Sequence, residues 1–454
     1  MTKFILPLML ICFLLLLLFL PAAHGEMSRA AAETGAERIF VAIDAGGALS
    51  DATLYALNPD GSGKTLLFDF HDQPKDTAGG VWGLRAQGNA LYFHSDHANL
   101  YTPASRNLFR IPTNGSWLDQ ITPGPHAGDW NQPCPCGAVT GHVRQSNGQP
   151  WGAAPVFLSG VGMVNSNPDG SFRFDHVPAG TRWIVAYRPG DSSVYDAEAI
   201  SLTGGQTLDV QLIPDSSGRM SFEYPVRFGD RIYYRFSSTA IQWTTLNFAP
   251  PVEVYKTSGF CTGIPLVDGF DVSPTSGRLA ILNYQEGCGA GDAEHRGLYV
   301  ADKDGRGLRL LVDMMADANW SETSVSQGVF WSPDERFIAL DALYGGNPVI
   351  VVFDARSGAY LGGVAYPGTW QDTYGLSLLG WSPDGRWLLY LLHHYRTAQP
   401  TERILAKMPV AADGSVNVQG IVGLLDDPNI EAATWARDEG ASLSRRLYLP
   451  KITY

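Results

Sequence analysis

The stretch "FWSPDERFIALDA", beginning at Phe330, recurs as "GWSPDGRWLLYLL" from Gly380 and, one residue longer at its turn, as "DVSPTSGRLAILNY" from Asp271. Weaker copies are "TWARDEGASLSRRLYL" from Thr434, "RFGDRIYYRF" from Arg227 and "GLRAQGNALYFHS" from Gly83. Each is two runs of β-favouring residues broken by a polar or glycine turn, which describes a strand, a turn and a strand. Trp331, Trp381 and Trp435 lie 50 and 54 residues apart. A unit repeated at that spacing cannot bury its own apolar face and must stack against copies of itself.

A second repeat follows the first. Residues 54–68 ("LYALNPDGSGKTLLF"), 298–312 ("LYVADKDGRGLRLLV") and 108–122 ("LFRIPTNGSWLDQIT") share an apolar start, an Asp-Gly or Asn-Gly cluster and a second apolar run. That is a β-hairpin. The Gly-Lys-Thr in the first copy is therefore a turn and not a phosphate cradle. A phosphate loop needs glycine where Asn58 stands, and a helix where "TLLFDF" alternates as a strand. Strand–turn–strand plus hairpin makes a four-stranded propeller blade. Starts near 83, 226, 271, 331, 381 and 435 predict an all-β, six-bladed propeller whose last blade is completed by residues 38–70. A seventh blade built from residues 38–70 alone is the alternative.

The "W-S-P-D-G-R" turn followed by "L-Y" and a later Asp-Gly resembles the TolB-type propeller repeat, shared with the propellers of prolyl-oligopeptidase relatives. The period breaks at residues 137–214, where runs with two-residue alternation end in Asn-Gly, Asp-Gly or Pro-x-Gly, as expected of a small β-sandwich. Its "DGSFRFDHVPAG", with Asp169, Gly170, Phe172, Val177, Pro178 and Gly180, resembles the carboxypeptidase regulatory-like domain. That resemblance implies a non-catalytic extracellular module. The propeller then occupies residues 26–136 and 215–454.

Residues 1–25 carry an unbroken apolar run, "FILPLMLICFLLLLLFL", then small residues at cleavage spacing before Glu26. They read as a secretory signal peptide, with an uncleaved anchor as the alternative. The mature chain is expected to be secreted, periplasmic or extracellular, with no membrane insertion after cleavage. There Cys134, Cys136, Cys261 and Cys288 are disulfide candidates. A formal charge of −13 excludes nucleic acid as the main partner.

In a four-stranded blade, the connection between the second and third strands and the link to the next blade share one face. Here those segments are long and the opposite turns short, so the long-loop face is the candidate binding surface. Its candidates are His94, Asp96, His97, Tyr101, Glu294, His295, Trp370, His393, His394, Tyr395 and Arg396. No cofactor or resident metal is called for, because the histidine pairs "HSDH" and "HH" lack a helix to align them. No G-x-S-x-G is present: "GWSPDG" places Ser382 in a blade turn. The reading is a monomeric, non-enzymatic binding or scaffold protein for a protein or glycan partner. The alternative is a propeller enzyme acting on polysaccharide through paired carboxylates, for which Asp96, Glu294 and Asp372 are candidates.

Overall fold

The structure, a computed structural model, describes residues 37–44, 52–69, 80–95, 107–116, 118–121, 136–158, 161–217, 223–237, 240–246, 251–256, 266–285, 295–314, 316, 328–366, 372–396 and 401–437. Among these the chain is almost wholly β, without an α-helix. Six antiparallel four-stranded sheets follow one another as a β-propeller. Sheet two holds Trp82–Gln87, Ala90–Ser95, Asn107–Pro112 and Asp119–Gln120, from inner to outer strand. Sheets three to six repeat that order, with inner strands Glu223–Phe228, Leu266–Val272, Val329–Trp331 and Asp372–Trp381. Sheet one joins the two ends of the chain: Thr65–Asp69, Ala52–Leu57 and Glu37–Asp44 come from the N-terminal side, and the inner strand Ile430–Arg437 from the C-terminal side. The six inner strands touch in order round a closed circle. The strand–turn–strand read from Thr434 needs revision, because Glu37–Asp44 takes the place beside Ile430–Arg437, in register Ile39 to Trp435. Residues 438–454 lie outside the described residues.

Both faces of each sheet are covered, which is why the second strands read as unbroken apolar runs. In "WLLYLL", Leu388 and Tyr390 pack towards sheet five, whereas Leu389 and Leu391 pack towards sheet one. One apolar cluster fills each seam between neighbouring sheets.

The repeated turns are held locally. Ser332 Oγ donates to Asp334 Oδ1 (2.6 Å) and accepts from Phe337 N (3.0 Å). Ser382 Oγ does the same with Asp384 (2.5 Å) and Trp387 N (2.9 Å). Asn58–Ser62 is a turn closed by Asp60, and Lys64 lies 4.3 Å from the Tyr55 ring centroid. Glu335 stands where the sister turn has Gly385, at φ 59° against 71°. Its carboxylate reaches the turn of sheet four, accepting from Ser273 Oγ (2.5 Å), Thr275 N (2.8 Å) and Ser276 N (2.5 Å). That turn has Thr275 where the others have aspartate, so Glu335 supplies the missing carboxylate. Burial opposes ionisation there, yet hydrogen bonds from Ser273, Ser276 and Thr275 hold Glu335 below its ordinary pKa. Glu335→Ala is expected to cost about 2 kcal/mol, and Glu335→Gly about 1 kcal/mol less than that because glycine relieves the left-handed backbone. Urea midpoints of the two variants check the order.

Between sheets two and three the chain forms a five-stranded and a three-stranded sheet, from Cys136–Val143 to Ser216–Ser217, around one core that includes Val156, Phe172, Ile184 and Ile200. Thr207–Leu212 pairs parallel with Cys136–Val143, so the module's first and last long strands lie side by side and the chain enters and leaves at opposite ends of that pair. The module is docked and not a free arm. In the strand Gly180–Arg188, Ile184 and Ala186 face the module's own core. Val185 and Tyr187 pack instead with Tyr92, Leu108, Ile232 and Tyr234 of sheets two and three.

Candidate functional site

A cavity of about 480 Å³ lies at the ring axis. Its walls come from the starts of inner strands (Trp82, Tyr224, Gly375) and the ends of second strands (Leu343, His393, Tyr395), which places it on the long-loop face. A second cavity of about 240 Å³ lies on the short-turn side, against Gln87, Asp271, Trp381 and Trp435. Arg85 and Phe330 line both, with the guanidinium 3.6 Å from the Phe330 ring centroid. A third cavity, at the perimeter beside Tyr344 and Tyr360, is lined by aliphatic, aromatic and glycine residues, with no charged side chain among them. The axial cavity is the candidate because polar side chains converge on it.

An inner strand is a sheet edge, so its free N–H and C=O groups need partners. Side chains, mostly from the neighbouring sheet, supply partners to the N–H groups. Glu431 Oε2 accepts from Val81 N (2.9 Å) and Thr434 Oγ1 from Ala86 N (3.2 Å). Gln87 accepts from Arg227 N, and Asp271 Oδ2 from Trp331 N (2.7 Å). Asp341 ties two inner strands at once: Oδ1 accepts from Gly328 N (3.1 Å) and Oδ2 from Leu378 N (2.9 Å). The cavity's acids, Asp341 and Glu431, thus already hold backbone donors.

Arg85 is 9% exposed and couples electrostatically to Asp271 and Asp341. Burial outweighs the attraction of Arg85 and the N–H of Trp331 and Val272, raising the Asp271 carboxyl from its ordinary 3.8 to about 6. The folded state therefore holds this proton more tightly than the unfolded state. The resulting stability is fully present below pH 3.8 and is lost as pH rises through about 6. Relative to Asp271→Asn, the wild type should lose up to ~3 kcal/mol between pH 4 and 7, at 1.36 kcal/mol per pH unit. Urea titrations of both proteins across that range measure the difference.

Of the sequence-derived candidates, His393 and Tyr395 line the cavity, and their rings stack at 6.0 Å. His94 sits behind the wall: it is fully buried, its Nδ1 accepts from Tyr224 N (3.0 Å), and its ring meets those of Tyr224 and Trp82. Gly83 makes room for it, because at φ +60° a Cβ there would come 2.9 Å from His94 Nδ1. His394 stacks on Tyr374 (4.5 Å) and, with Arg396, holds Glu402 beside the cavity (3.2 and 3.0 Å). Asp96, His97, Tyr101, Glu294 and Trp370 lie outside the described residues, as do Cys134, Cys261 and Cys288. His295 opens its strand and Asp372 another, with only their backbone described, and Cys136 opens the strand Cys136–Val143. Sequence reasoning missed Trp82, Arg85, Tyr224, Asp341 and Ser377. Its available signal was a charge inside an apolar inner or second strand, as in "WGLRAQ" and "FIALDALY".

Ser377 Oγ lies 3.1 Å from His393 Nε2. Burial, then the charge of Arg403, lowers the His393 pKa to about 4. Nucleophilic catalysis needs the opposite, an imidazolium stabilised by a carboxylate. Among the described residues, no group of three His, Cys, Asp or Glu could hold a metal ion, and no helix is long and apolar enough to cross a membrane.

No known family model matches the chain, and no curated protein matches it. Among solved structures, it is similar to a protein from Lactobacillus plantarum (11% identity, 88% of this chain and 99% of that one, TM-score 0.42). TolB from Acinetobacter baumannii is also similar (11% identity, 88% and 66%, TM-score 0.39). So is the periplasmic gluconolactonase of Pseudomonas aeruginosa (11% identity, 88% and 98%, TM-score 0.39). The propeller fold itself is read from the sheets and their order.

Proposed function

We propose that this is a secreted or periplasmic, non-enzymatic binding or scaffold protein. A six-bladed ring presents its long-loop face to a protein or carbohydrate partner. One observation carries the reading: the axial cavity on that face is aromatic-walled, and its acids already receive backbone N–H groups. Such carboxylates act as struts, and the remaining surface suits recognition. The reading includes a cleaved signal peptide, disulfides among the four mature cysteines and a monomeric state. It also includes a carboxypeptidase regulatory-like module that braces sheets two and three.

The polysaccharide-enzyme alternative draws on one feature, the presence of Asp341 and Glu431 in the same cavity. A glycan array and a peptide pull-down with the mature chain, run beside Tyr395→Ala, test the proposal. Tyr395 is 46% exposed, so its removal leaves the fold intact. The variant is expected to lose at least tenfold in affinity for whatever the wild type captures. Unchanged capture would remove the axis as the site. Polysaccharide cleavage by the wild type that Glu431→Gln abolishes would replace binding with catalysis.

A further inference from the structure

We infer that the axial cavity is a saccharide subsite for one neutral, pyranose-sized ring, with Arg85 as its polar anchor. The inference rests on the binding reading above and adds the ligand's class and the residue that orients it.

Arg85 is the first reason. It is nine-tenths buried at the floor of the cavity, and among the described residues its guanidinium donates no hydrogen bond. Its recorded contacts are the Phe330 ring and the electrostatic attraction of Asp271 and Asp341. Buried donors in a folded protein find partners, so donors left facing a cavity point to an occupant. Sequence position does not explain the residue: Arg85 interrupts an inner strand whose neighbours Leu84 and Ala86 pack in an apolar seam.

Charge decides what the occupant is. A carboxylate ligand would accept from Arg85 but would also face Asp341 and Glu431, to which it can donate nothing. A hydroxyl both donates and accepts. Adjacent hydroxyls on a sugar can take the guanidinium N–H groups while donating to the carboxylate oxygens of Asp341, each of which carries more than one lone pair.

The walls and the size agree. Trp82, Tyr224, Tyr374 and Tyr395 line the cavity. Aromatic side chains of this kind offer an apolar body with a polar tip, the pairing that a sugar's C–H face and hydroxyl edge require. A volume of about 480 Å³ is within the range of small-ligand sites and leaves room for a linkage towards the open side.

The test is titration of the mature chain by calorimetry and ligand-observed NMR. The probes are glucose, galactose, N-acetylglucosamine and their β-linked disaccharides, with glucuronate and galacturonate as the anionic arm. At least one neutral saccharide should bind, and its uronate should bind at least tenfold more weakly. Arg85→Gln and Tyr395→Ala should each weaken binding at least tenfold, with the near-ultraviolet circular dichroism of the wild type retained. If Arg85→Gln fails to fold, Tyr395→Ala at the cavity mouth decides alone. Absence of binding by every neutral probe overturns the inference, as does tighter binding of a uronate or indifference to Tyr395→Ala. A peptide partner lost in Tyr395→Ala, with no saccharide bound, would overturn this inference while leaving the binding reading in place.

Discussion

Asp341→Ala is expected to destabilise the ring by about 3–5 kcal/mol, the largest effect of any single side chain at the axis. Asp341 is 4% exposed and is the strut between sheets five and six. Its loss leaves Gly328 N and Leu378 N without their acceptor in a buried seam. Each such orphan costs about 1–3 kcal/mol. The same change removes one of the two carboxylates whose charge supports buried Arg85. Asp341→Asn should cost less, about 2 kcal/mol, because the amide keeps one acceptor and turns a donor towards the other N–H. Urea denaturation followed by tryptophan fluorescence reports both values, with Trp381 in the affected seam, its Nε1 donating to Phe330 O. A midpoint for Asp341→Ala within experimental error of the wild type would show that the inner strands do not need this tie.

The difference between what was legible in the sequence and what was not follows the reach of each interaction. The turns at Ser332–Asp334 and Ser382–Asp384 close on partners within five residues, so their repetition is visible along the chain. The hairpin of residues 54–68 is equally local, and its Gly-Lys-Thr stands in the turn and the strand that follows it. Beside Ile430–Arg437 the pattern from Thr434 suggests a local second strand, whereas the observed neighbour, Glu37–Asp44, comes from the far end of the chain. His393 and Tyr395 stand out because they end a second strand, and topology alone sends such residues to the long-loop face. His94 ends a second strand too, but its imidazole turns into the wall because Tyr224 N needs an acceptor across the seam. Arg85, Asp271 and Asp341 escape notice for a related reason. Each is a lone charge in an apolar strand until six inner strands converge and bring the three together.

Val185→Asp is expected to release the inserted module from the ring and to cost about 3–5 kcal/mol at neutral pH. The reasoning begins with alternation. In "RWIVAYR" a half-buried strand would show apolar residues on every second position, yet Ile184, Val185, Ala186 and Tyr187 are all buried. Two separate clusters explain this, one inside the module and one against sheets two and three. Val185 is 1% exposed in the second, among Tyr92, Ile232 and Tyr234. Burial holds the Tyr187 and Tyr234 hydroxyls well above the ordinary tyrosine pKa, so the seam is a poor medium for any anion. A carboxylate introduced there loses the valine's burial and must either stay protonated or force the seam open. The penalty should therefore shrink as pH falls towards 4, where the new aspartate is neutral. Ile184→Asp, one residue away but facing the module's own core, should unfold the module itself. Limited proteolysis separates the two outcomes: Val185→Asp should yield cuts near residues 136 and 217 with a protected module between them, and Ile184→Asp cuts inside it. If Val185→Asp kept the wild-type midpoint and resisted proteolysis, the module would have to be regarded as tethered to the ring and not braced against it.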